Sequence, residues 1–233
     1  TGKPRAVPDP AVDDMPVPEY VHRITNQDLH ADGPADMVII IPTTQKMRAQ
    51  AERLKAIHEL NDGMRVRIVP ADELYNEFSS GTPDATAYRR YMKMLYDRAA
   101  TDDDAPKYLL LFGDAAWDNR MLTSTWRNYS PDDFLLSFQS RNSVSKTHSY
   151  ISDDFFCLLD DGERIFNGTE TESVENPDAD RYNFRGKPDV AVGRLPVRTP
   201  EEASVIIDKI EAYIGNRTAG SWQNTTVFLG DDG

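Results

Sequence analysis

An α/β fold with a doubly wound, mostly parallel sheet is predicted by three observations. Short continuous apolar runs, Met37–Ile41 and Tyr108–Phe112, alternate with segments of helical period. Continuous apolarity over so short a span marks a strand buried on both faces, as in a parallel sheet. Gly, Pro and Thr stand where the period changes, which is where caps and turns belong. The order strand, helix, strand, helix, strand then favours right-handed crossovers.

Residues 1–35 carry Pro4, Pro8, Pro10, Pro16, Pro18 and Pro34. Proline supplies no backbone donor to a ladder, so these residues read as an approach segment or linker, with 20–24 as a candidate edge strand. The core begins with the strand Met37–Ile41. Thr43 or Thr44 is placed to cap the next helix, whose inner face is Met47, Ala51, Leu54 and His58, and Gly63 ends it. Residues 64–69 form the second strand, with Val66 and Ile68 on one face. Ala71–Phe78 is a short helix broken by Ser79-Ser80-Gly81. Thr82-Pro83 opens a helix over about residues 83–100, with Tyr88, Tyr91, Leu95 and Ala99 facing inward. Residues 107–112 are the third buried strand, ended by Gly113-Asp114.

Residues 115–147 are polar and irregular but hold Trp117, Trp126, Tyr129 and Phe134. Inside a folded domain a loop this long commonly carries function. Residues 150–159 and 164–166 flank Asp160-Asp161-Gly162, which predicts a small β-hairpin insertion. Residues 188–193 are a further strand. Thr199-Pro200-Glu201-Glu202 is a capping box with proline at the first helical position. Val205, Ile206, Ile210, Tyr213 and Ile214 give that helix its apolar face. Residues 225–229 read as a last strand, followed by Gly230-Asp231-Asp232-Gly233.

Composition narrows the function. The net charge is −13 with no basic block, which argues against a nucleic-acid footprint. No apolar run approaches the roughly 18 residues of a membrane-spanning helix. No Gly-x-Gly-x-x-Gly or phosphate-cradling Gly-Lys-Ser/Thr loop occurs, so nucleotide binding has no support. The single cysteine, Cys157, leaves no internal disulfide or cysteine zinc cluster. It lies among aromatic and aliphatic neighbours, where burial raises a thiol's pKa; Cys157 is therefore expected to be structural and non-catalytic. His22, His30, His58 and His148 show no metal-ligand spacing.

The acidic pairs are the remaining candidates. Asp160-Asp161 is turn chemistry. Asp153 and Asp154 offer the oxygen ligands that calcium takes, though no Asp-x-Asp-x-Asp-Gly loop is present. Doubly wound sheets bind ligands beyond the carboxyl ends of their strands. That rule singles out Asp114, after the third strand, and Asp231 and Asp232, after the last. A sheet that has just received a strand normally needs a following helix to cover it, so residues 36–233 are expected to be the first part of a larger catalytic or binding domain.

Several stretches carry a family resemblance. They are residues 75–85, 88–96 and 108–114, Ser152-Asp153-Asp154-Phe155-Phe156, and Val190-Ala191-Val192-Gly193-Arg194-Leu195-Pro196. Together they resemble the gingipain family of cysteine peptidases, more narrowly its sortase branch in the type IX secretion system. The resemblance implies a caspase-like catalytic domain of two subdomains, of which this chain resembles the first. The nucleophilic cysteine and a histidine followed by glycine would lie in the second subdomain, as partner of this one; no His-Gly occurs here. Cys157 stands where the family has a small residue. An acidic residue at the end of the strand equivalent to 225–229 orients the family's histidine; Asp232 is the best match, with Asp231 the alternative, and aspartate replaces the family's glutamate. The resemblance implies no required cofactor. It further implies an enzyme at the outer-membrane surface of a Gram-negative bacterium, cleaving the C-terminal sorting signal of secreted protein cargo through a thioester acyl-enzyme. Asp114, Trp117 and Trp126 would face substrate. The competing expectation is a non-catalytic α/β binding or scaffold module, with calcium as a ligand.

Overall fold

Four parallel strands form the centre of the molecule: β1 (Met37–Ile41), β2 (Val66–Pro70), β3 (Tyr108–Phe112) and β6 (Ala191–Leu195), in the order β2-β1-β3-β6. The structure, a computed structural model, describes residues 26–139, 150–161, 187–216 and 219–230. The expected edge strand at 20–24, the second hairpin arm at 164–166, and Asp231 and Asp232 lie outside them. Every strand begins level with its neighbours: Met37 pairs with Val66 and Tyr108, and Tyr108 with Ala191. The carboxyl ends therefore finish at one rim.

Burial on both faces explains the apolar runs. Val38, Ile40, Leu109 and Leu111 face a core shared with α2 (Ala71–Phe78) and α3 (Thr86–Asp97). Ile39, Ile41, Val66 and Phe112 face a second core under α1 (Arg48–Asp62) and α4 (Pro200–Ile214). Ile39, Ile40 and Ile41 are fully buried, each contributing about 1.5–3 kcal/mol relative to exposure. Gly63 ends α1 at φ 67°, in the left-handed region. The expected cap at Thr43 or Thr44 is absent: Met47 precedes α1 without a side-chain cap, and Thr44 Oγ1 instead donates to Asp133.

Several expectations are corrected. The third helix begins at Thr86, not 83. The end of α2 consumes the intervening residues: Gly81 N donates to Tyr75 O at 2.8 Å, and Ser79 Oγ donates to Thr82 O. Asp84 then accepts from Thr86 N. The small antiparallel pair is present, but β4 (Phe138–Gln139) pairs with β5 (Ile151–Ser152), and Asp154–Cys157 is a 3₁₀ turn rather than strand. On α4, Ala203 and Ile207 are the buried positions, whereas Val205 and Tyr213 are exposed. Residues 225–229 form no strand; Val227, Phe228 and Leu229 are exposed, and among the described residues no strand pairs with them.

The approach segment is also more than a linker where it is described. Leu29 and Ala35 join the α2–α3 core. Glu77 accepts from Gln27 Nε2, Leu29 N and His30 N, which straps residues 27–30 to α2.

At the amino-end rim, Asp36 joins β1, β2 and β3. Its carboxylate accepts from Arg65 N, Nε and Nη2 and from Lys107 Nζ, while its carbonyl accepts from Lys107 N and Tyr108 N. The Arg65 guanidinium beside it holds the Asp36 carboxyl well below the usual carboxylate range. A depressed folded pKa stabilises the native state fully above the unfolded value, about 3.9 for aspartate, and that contribution is lost as pH falls toward the folded value. Acid titration of stability by circular dichroism is therefore expected to show a shallower loss below about pH 4 in Asp36→Asn than in the wild type; parallel acid limbs would contradict the assignment.

Candidate functional site

The carboxyl-end rim gathers the loops after β3 and β6. Gly113 follows β3 and has no room for a side chain: a Cβ there would lie 2.9 Å from Pro42 Cγ and 3.2 Å from Leu135 Cγ. That close approach brings the loop after β1 and residues 134–137 onto the strand end. Asp114 N donates to Val197 O, and Leu135 N donates to Asp114 O, which stitches the rim across three segments.

Two arginines that sequence reasoning did not single out organise the rim. Arg194, on β6, is largely buried and pairs bidentately with Asp153 at 2.8 and 2.9 Å. Its remaining donors reach Gly113 O and Leu136 O. On the other side of Leu136, its N–H donates to Tyr88 Oη, which is bonded to Tyr75 Oη at 2.7 Å. Burial raises both phenols, Tyr88 to about 12, so the pair is neutral. Arg198 lies beyond β6. Its Nε donates to Asp114 Oδ2 at 2.6 Å, and its guanidinium sits over the rings of Trp126, Tyr129 and Phe134. Arg194 stood in a quoted stretch and Arg198 just before a capping box, so both were findable as charges beside strand ends.

The predicted residues fare differently. Asp114 and Trp126 meet through Arg198. Trp117 is 58% exposed on the same loop, its carbonyl accepting from Gln139 Nε2. An open cleft of about 540 Å³ is lined by Asp114, Pro196, Val197, Arg198, Glu202 and Val205. Asp153, a calcium candidate, has both carboxylate oxygens on Arg194. Asp154 lies in the adjoining 3₁₀ turn, and among the described residues no group of three or more His, Cys, Asp or Glu could hold a metal ion. Asp231 and Asp232 lie outside the described residues. His58 bonds Asp62 Oδ2 on the surface of α1.

Cys157 is buried beneath α3, and its Sγ donates to Asp154 O at 3.1 Å. Burial, reinforced by the Asp154 charge, pushes the thiol up to about 12. At neutral pH it is a protonated thiol bonded to a carbonyl, the opposite of an activated nucleophile.

The sequence model of peptidase family C25 matches residues 30–233. The crystal structure of dimeric latent PorU from Porphyromonas gingivalis is 35% identical over 87% of this chain, with a TM-score of 0.67. The chain covers 18% of the length of that protein. No curated protein matches it in sequence.

Alkylation is expected to leave Cys157 untouched. Native chain treated with iodoacetamide at pH 8, where an exposed cysteine of pKa about 8.5 reacts readily, should gain no adduct by intact-mass measurement until denaturant is added. Rapid native labelling would contradict a buried, protonated thiol.

Proposed function

Since the chain belongs to peptidase family C25, the gingipain family of cysteine peptidases, we propose that it forms the first, non-nucleophilic half of a catalytic domain whose second half carries the cysteine and its histidine base. The observation that carries this reading is the family match over residues 30–233, in a chain whose single thiol is buried and protonated. The nucleophile must then come from elsewhere in the parent protein, and this chain alone is inactive.

In the proposed reaction the partner half's thiolate attacks the scissile carbonyl, and its imidazolium gives a proton to the departing amine. A thioester acyl-enzyme is left, and a water or an acceptor amine resolves it. Asp232, or failing it Asp231, accepts a hydrogen bond from the imidazole. That contact fixes the tautomer and stabilises the imidazolium. Asp114, Trp117 and Trp126 supply one wall of the substrate cleft. The similarity to PorU supports a narrower proposal: a sortase at the outer-membrane surface, removing the C-terminal sorting signal of type IX cargo. The same family match favours the peptidase reading over a non-catalytic binding or scaffold module.

The test uses the parent enzyme spanning both halves. Asp232→Asn is expected to lower kcat by about 10²–10⁴-fold with KM little changed, and Cys157→Ala to leave both parameters at wild-type values. A kcat within about twofold of wild type for both Asp231→Asn and Asp232→Asn removes these carboxylates from the reaction. Peptide hydrolysis by the 233-residue chain alone, abolished by Cys157→Ala, overturns the division into halves.

A further inference from the structure

The loop after β3 builds a small core of its own. Ala116, Met121 and Phe134 are buried together with Trp126 against them, and none of these residues belongs to either main core. Trp126, Tyr129 and Phe134 pack ring against ring at 5.5–5.9 Å. Such a lobe has its own shape but needs a fastening to fix where it stands on the sheet.

Arg198 is placed to be that fastening. Its guanidinium carbon lies 5.9, 6.0 and 5.6 Å from the centroids of Trp126, Tyr129 and Phe134. The same group is bonded to Asp114 at the end of β3, and its backbone N–H donates to Glu202 in the first turn of α4. A planar guanidinium can hold a carboxylate at its edge and rings against its face at once; an ammonium has no such plane. Residues 135–137 are held separately, by Tyr88, Arg194 and the burial of Leu135 in the main core. Among the described residues the other side-chain ties from outside to 115–134, Gln139 to the Trp117 carbonyl and Thr44 and Lys46 to Asp133, are exposed, and exposed ion pairs hold little. The cleft opens beside Arg198, and Trp117 and Leu122 of the same loop are exposed.

We propose that Arg198 is a positioning residue for substrate binding: by seating the aromatic lobe of residues 115–134 against Asp114, it sets the surface beside the cleft that an extended peptide contacts. The proposal rests on the peptidase reading above. Its effect falls on binding rather than chemistry, because a wall contacted equally in the ground and transition states changes KM and leaves kcat.

Two measurements on the parent enzyme test it. Hydrogen–deuterium exchange by mass spectrometry reads the lobe directly, and an internally quenched peptide library reads apparent KM and kcat. Arg198→Met, which keeps the stem and loses charge and plane, is expected to speed exchange in 115–134 by about tenfold or more while 108–112 and 191–195 keep wild-type rates. Apparent KM should rise roughly tenfold, with kcat within about twofold. Arg198→Lys, which keeps the charge without the plane, should fall between. Unchanged exchange in the lobe overturns the proposal. So does faster exchange throughout the sheet, which would mean a general stabilising role, and so does a loosened lobe with unchanged KM. A wild-type parent with no peptidase activity overturns the reaction assignment and the binding half of this proposal; the exchange experiment still decides whether Arg198 seats the lobe.

Discussion

In a parallel sheet the strands all finish at one rim, where the backbone ladder ends and only loops and side chains remain to hold neighbours together. Here the main fastening is Arg194. It rises from β6 on the α2–α3 side, pairs both arms with Asp153, and gives its other donors to the carbonyls of Gly113 and Leu136. A guanidinium suits this because its donors lie in one plane and can serve several acceptors at fixed angles. A partly buried charge is costly unless paired, so Asp153 is required for the arrangement as well as shaped by it.

The contacts of Arg194 explain why the five stretches that carried the family resemblance belong together. Tyr75 comes from the first, Tyr88 from the second, Gly113 and Asp114 from the third, Asp153 and Phe156 from the fourth, Arg194 from the fifth. They converge on residues 134–137: Tyr88 Oη takes the N–H of Leu136, Arg194 takes its carbonyl, and Gly113 leaves space for Leu135. Phe156 packs on Tyr88 at 5.5 Å, which places Cys157 in the core. The quoted residues are thus largely the scaffold that shapes one cleft wall. In the proposed reaction the chain would contribute a surface and one carboxylate.

How much of this was legible depended on whether local signals had competition. β1, α1 and α2 could be read because period, apolar content and the Gly63 stop agree; only the α1 cap is overruled from a distance, by Asp133 taking Thr44. The start of α3 could not: Thr82-Pro83 is a fair opening signal, but the left-handed Ser80 and Gly81 let the end of α2 claim those residues first. The 3₁₀ turn at Asp154–Cys157 was hidden for a tertiary reason, since its apolar composition suits a strand and the chain turns where Asp153 meets Arg194. Residues 225–229 have strand-like composition but no pairing strand among the described residues, and composition alone does not supply one. At the site, Asp114 and Trp126 were visible as a charge and a ring near a strand end. The two arginines that organise them were visible only as charges beside strand ends; their partners, 41 to 84 residues away in sequence, were not.

The central claim is that the Arg194–Asp153 pair couples the strand ends into one wall. A double-mutant cycle tests it most directly, with Arg194→Met, Asp153→Asn and the double variant compared by urea denaturation. The account predicts a coupling energy of about 1.5–3 kcal/mol, because either single change strands the partner in a partly buried position. Additive effects within about 0.5 kcal/mol would show that the two side chains stabilise the rim independently, and would contradict the account.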